Sequence, residues 1–167
     1  MISDQFNNRI IELNPKTGKI VGWFGDGSST AGPTSVVAPN DAQRVGDLTV
    51  IARTGAPAGT PTIHEANCQN GCADHRVLVV TQSGKIVWQY GKAGVTGSGV
   101  NQLNTPVQAT VLPNKHVRIT DQGNQRVIEV NQQKKIVWQY GTTGVSGSGP
   151  NQLNNPNSVG ERQHPDL

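Results

Sequence analysis

Aromatic side chains are scarce in this chain. Three Trp, two Tyr and two Phe in 167 residues are too few for the stacking platform of a single-strand nucleic-acid binder. Basic residues never gather into a run of five or more, and the formal net charge is only +3. The Lys and Arg therefore read as a solvated surface, and a nucleic-acid partner is disfavoured. No stretch approaches the roughly 18 to 20 apolar residues that span a bilayer as a helix. There is no G-x-S-x-G elbow, no phosphate loop and no H-E-x-x-H. The loops GVTGSGVNQLN and GVSGSGPNQLN lack the Lys-Ser/Thr of a phosphate loop and read as connections.

Turn formers are abundant instead. Twenty Gly and ten Pro, with many Asn, Gln, Ser and Thr, separate short apolar runs such as IVWQY and RVIEV. These runs alternate with the period of strands and show no 3.6-residue stripe. The chain reads as all-β.

Internal repetition is the strongest signal. Lys85–Gly91 and Lys135–Gly141 both read KIVWQYG, 50 residues apart, and the loops that follow match from Gly91–Pro106 to Gly141–Pro156. An earlier copy, KIVGWFG, begins at Lys19. DQFNNRIIELN (from Asp4) and DQGNQRVIEVN (from Asp121) precede the first and third copies. The second copy carries 16 extra residues between Ile51 and Arg76. A unit of about 50 residues with four short strands is the signature of a β-propeller blade. The expected division is blade 1 over about 1–36, blade 2 over about 37–105 with an insertion near 53–75, blade 3 over about 106–154, and a C-terminal strand and tail over 155–167.

In the third unit the strands fall at Val107–Leu112, Val117–Thr120, Arg126–Val130 and Lys135–Tyr140. In the second they fall near Asp41–Val45, Leu48–Ile51, Arg76–Val80 and Lys85–Tyr90. Met1–Asp4 aligns with Arg118–Asp121, so the first unit begins in its second strand. Asn155–Val159 aligns with the start of an innermost strand.

Three elements resemble the NHL-repeat β-propellers. They are the strand-D-x-x-N-x-R-strand of ITDQGNQRVIEV and ISDQFNNRIIEL, the outer strand of GKIVWQYG and GKIVGWFG, and the loop G-S-G-x-N-Q-L-x-x-P. The second copy lacks the D-Q-x-N part. The resemblance implies a ring of about six blades, of which this chain would supply half. Closure would come from a homodimer or from further sequence of a longer propeller. Function does not follow from the fold. The preferred reading is a binding or scaffold module. The alternative is a lyase- or hydrolase-like enzyme using His/Glu or a metal at the mouth of the channel.

Asp4, Asn7 and Arg9 recur as Asp121, Asn124 and Arg126, which suits a structural role: Asp capping the tight turn and Arg bridging blades. Trp88, Tyr90, Trp138 and Tyr140 read as packing between blades. The insertion ends in His64-Glu65-Ala66-Asn67-Cys68-Gln69-Asn70-Gly71-Cys72-Ala73-Asp74-His75. Three readings stand for it. A Cys68–Cys72 disulfide around the Asn70-Gly71 turn is favoured, and would favour an extracellular or secreted location. A Zn²⁺ site of His64, Cys68, Cys72 and His75 has the right ligand count, with Glu65 or Asp74 as further ligands. A reduced, inert pair is the third. His116 reads as a solvated turn residue and His164 as part of a polar tail. Catalysis would require His64, Glu65 or His75 to converge with His116.

Overall fold

A computed structural model describes residues 1–60 and 68–160. The fold is all-β, in three antiparallel sheets. The first holds β1 (Ile2–Asp4), β2 (Arg9–Leu13) and β3 (Ile20–Phe24). The second holds β4 (Pro39–Val45), β5 (Leu48–Ala56), β6 (Cys72–Thr81) and β7 (Ile86–Tyr90). The third holds β8 (Pro106–Val111), β9 (Val117–Asp121), β10 (Arg126–Val130) and β11 (Ile136–Tyr140). Each sheet is a meander, its strands paired in chain order.

The β-branched density of RVLVV and RVIEV suits central strands covered on both faces. Pro39 and Pro106 each open the first strand of a sheet, where a missing N–H costs least. Register irregularities recur in the same places. One follows each of these prolines (Pro39/Asp41, Pro106/Gln108), and one lies on the third strand of each unit (Glu12/Leu13, Val79/Val80, Glu129/Val130). The repeat is thus structural as well as textual.

Two hydrophobic layers lie between the sheets. Ile10 and Phe24 of the first sheet meet Ile51, Leu78 and Val80 of the second, with Val36 between them. The opposite face of the second sheet, Val50, Val77, Val79, Trp88 and Tyr90, meets Val117, Ile119, Ile128 and Val130 of the third. Burying each such side chain contributes on the order of 1.5–3 kcal/mol, and these layers couple the three sheets.

Strand placement in the third unit agrees with the sequence pattern to within a residue at each end. The insertion does not: it was expected to leave the sheet near residue 53, but β5 continues to Ala56 and β6 starts at Cys72. The pairs Gly55↔Ala73 and Ala56↔Cys72 prolong the ladder past Arg53↔Arg76. Part of the extra length, 54–56 and 72–75, is therefore strand, and pairing satisfies its backbone groups.

Candidate functional site

The recurring polar residues build a joint between successive sheets. Asn8, His75 and Gln125 each stand just before an Arg and share a left-handed backbone, with φ of 52°, 55° and 56°. Each accepts a backbone N–H from the residue that precedes the proline of the next unit. Ala38 N–H donates to Asn8 Oδ1 at 2.9 Å, Thr105 N–H to His75 Nδ1 at 3.0 Å, and Asn155 N–H to Gln125 Oε1 at 2.7 Å. Ala38, Thr105 and Asn155 are themselves left-handed. Three different side chains thus do one job, and they share only an acceptor atom. Sequence matching misses this because it compares identities. The available signal was position, one residue before each Arg.

A carboxylate completes two of the three joints. Asp121 Oδ1 accepts the Asn104 N–H at 2.8 Å, while its Oδ2 takes Asn124 Nδ2 at 2.7 Å and Arg126 Nε at 2.8 Å. Asp4 likewise accepts from Asn7 and Arg9, on Oδ1 and Oδ2 respectively, within the first sheet. The expectation that Asp caps the tight turn is corrected: neither Asp makes a side-chain cap there. Asp121 instead reaches back to the preceding connection.

The second unit reaches the same end from another strand. Arg53 pairs with Arg76 across the ladder, where Asp121 pairs with Arg126. The missing carboxylate is supplied by Asp74, two residues before Arg76 on β6. Asp74 Oδ2 accepts the Val37 N–H at 3.1 Å, and Oδ1 takes Arg76 Nε at 2.5 Å. Arg53 lies 3.4 Å from Asp74 Oδ2 and donates to the Ser35 carbonyl. All three charged groups are buried. Burial pushes the Arg53 guanidinium down to about 9, against the pull of Asp74, so it stays charged at neutral pH.

The part that follows no repeat is the tip of the β5–β6 hairpin. Cys68 and Cys72 are joined, with Cα atoms 5.2 Å apart, around a turn in which Gly71 N–H donates to the Cys68 carbonyl at 3.0 Å. Beside it opens a cleft of about 530 Å³ whose wall includes Asn40, Thr54, Ala56, Asn70, Cys72 and His75.

Of the candidate Zn²⁺ ligands, Cys68, Cys72 and His75 are otherwise engaged. Joined sulfurs offer no thiolates, and His75 Nδ1 is taken by Thr105. His64, with Glu65, lies outside the described residues, as does His164. Among the described residues no group of three or more His, Cys, Asp or Glu is placed to hold a metal ion.

The convergence needed for catalysis is also absent for the two histidines that can be placed. His75 sits by Thr105 at the start of β8, and His116 follows the turn at its far end, about 20 Å along the strand. His116 is not simply solvated. Its Nδ1 lies 2.6 Å from Glu129 Oε1, and this contact holds the Glu129 carboxyl below its ordinary value.

A scan against protein-family models finds no matching family, and a search of curated proteins finds no match. Among the described residues no helix is long and apolar enough to cross a membrane. The joined cysteines are compatible with an extracellular location.

Proposed function

We propose that this chain is an NHL-like β-propeller segment of about three blades, acting as a binding or scaffold module whose recognition element is the stapled β5–β6 tip. One observation carries the reading. Asn8, His75, Asp74, Asp121 and Arg126 are engaged at the joints, whereas the stapled tip, which forms one wall of the cleft, belongs to one unit alone. A residue repeated in every unit serves the unit. An element found once is free to serve a partner.

Within the tip, residues 68–72 are fixed at the end of the second sheet by the disulfide and the Gly71 turn. A recognition surface that is already ordered loses less conformational entropy on binding. The cleft beside it mixes apolar and amide groups, which suits a peptide or an oligosaccharide better than a highly charged ligand.

The test is a panel of immobilised peptides and oligosaccharides read by surface plasmon resonance. The native chain is compared with a variant in which residues 57–71 become an Asn-Gly turn and Cys72 becomes Ser. Binding by the native chain that the variant loses, with thermal unfolding of the rest preserved, is the expected result. Equal binding by both would overturn the assignment of the tip. Lyase or hydrolase turnover by the native chain would overturn the module reading itself.

A further inference from the structure

The two identical IVWQY strands have opposite fates. On β7, Trp88 is 8% and Tyr90 1% exposed, because the third sheet covers them. On β11 the equivalent Trp138 and Tyr140 are 47% and 44% exposed. The third sheet therefore shows, uncovered, the kind of face that the second sheet buries.

The first sheet shows the opposite face. Ile2 pairs with Ile11, as Ile51 pairs with Leu78 and Ile119 with Ile128. Those four counterparts are fully buried against the preceding sheet, while Ile2 is exposed and Ile11 only partly covered. Next to Ile11 on β3 stands Trp23, 74% exposed, where the other two sheets carry Gln89 and Gln139.

The C-terminal segment supplies a third sign. Within the molecule, the first strands of the second and third sheets are linked by a hydrogen bond: Asp41 Oδ2 accepts the Ala109 N–H at 3.5 Å. Gln108, at the position of Asp41, accepts the Val159 N–H at 2.7 Å. Asn155 is hooked to Gln125 as Thr105 is to His75. Residues 155–159 are thus laid where the first strand of a fourth sheet begins. The first sheet has three strands, and its β1 edge pairs with β2 alone.

We propose that two copies of this chain dock head to tail. The Trp138–Tyr140 face of each covers the Ile2–Ile11–Trp23 face of the other, and residues 155–159 add beside the partner's β1 as its missing first strand. Continuity with the two internal interfaces argues for a second copy as occupant, since the free faces are of the two kinds that already pack together inside the chain. The charged row Arg118–Glu129 on the Trp138 face is no obstacle. The equivalent Glu12 of the first sheet is accommodated at the internal interface by an ion pair with Arg44 of the second sheet, at 2.5 Å. Head-to-tail contact that closes after two copies gives a two-fold ring with two identical interfaces. The inference needs only the stacking of sheets, and stands or falls apart from what the hairpin tip binds.

The experiment is light scattering on the native chain and on two variants, Ile11→Arg and Trp138→Arg, each checked for native unfolding by circular dichroism. The native chain is expected at about 35 kDa, twice its 17.7 kDa mass. Each variant is expected as a monomer. An equimolar mixture of the two is expected to recover dimer, because one of its two interfaces joins an unaltered Ile11 face to an unaltered Trp138 face. A monomeric native chain, an open polymer, a dimer that survives either substitution, or a mixture that stays monomeric would each overturn the proposal.

Discussion

Asp74 accepts the Val37 N–H from β6, whereas Asp121 accepts the equivalent Asn104 N–H from β9. The same joint is closed by carboxylates from different strands. In the second unit the exchange leaves Arg53 where an Asp would stand, so one buried carboxylate faces two buried guanidinium groups.

This arrangement makes Asp74 the more critical partner. Asp74→Asn leaves both cations without a counter-charge and is expected to cost about 3–5 kcal/mol. Arg53→Met removes a surplus buried charge and is expected to cost much less. Urea unfolding of the two variants compares them directly, and an equal loss would show that Arg53 is as essential as Asp74.

His75 makes stability depend on pH. Burial holds its imidazole below the ordinary 6.5, against the opposing pull of Asp74. The unfolded chain therefore takes up a proton first. The contribution is complete above about 6.5 and is lost as pH falls below that value. His75→Asn keeps an acceptor of the kind used at Asn8 and is expected to flatten the dependence. Urea midpoints at pH 7.5 and 5.5 give the comparison, and an unchanged slope in the variant would count against this account.

The glycine after each outer strand is fixed by a close approach. At Gly91, φ is 93° and an added Cβ would lie 2.3 Å from the His75 carbonyl oxygen. Gly91→Ala is expected to cost well over 2 kcal/mol, by strained backbone and steric clash together. Gly144 has φ of 75° but open space around it, so Gly144→Ala is expected to cost only about 1 kcal/mol. Thermal unfolding ranks the pair, and similar losses would remove the clash from the explanation.

Reducing the disulfide tests the hairpin. Cross-linking a loop this short is expected to contribute about 2 kcal/mol by chain entropy. Cys68→Ser/Cys72→Ser should lower stability by that order without changing the solution mass. A change in mass would mean that the tip itself takes part in association.

The strands of the third unit were legible because turn residues and β-branched runs fix both their ends, and the favoured Cys68–Cys72 link was legible from the Asn70-Gly71 turn between them. Other features were not. The carboxylate of the second unit moved from β5 to β6, so a search for D-x-x-N-x-R finds nothing there, although the contact is kept. The 16 extra residues looked like a departure from the sheet because Gly55 and Pro57 punctuate them, yet the ladder runs on to Ala56. The same spacing that suggested zinc also brings the two sulfurs close enough to bond, and they are joined. The pairing of His116 with Glu129 was hidden because the partners meet across strands, 13 residues apart in the chain.

The contact made by Asn8, His75 and Gln125 asks very little of the residue that makes it. The donor is main chain and cannot be mutated away, except by proline, and any side chain that brings a lone pair to that spot will serve. Neighbouring units can therefore drift independently without losing their grip on one another. A tract built this way tolerates an irregular member in its middle, and the second unit, with its displaced aspartate and lengthened hairpin, is what such tolerance permits.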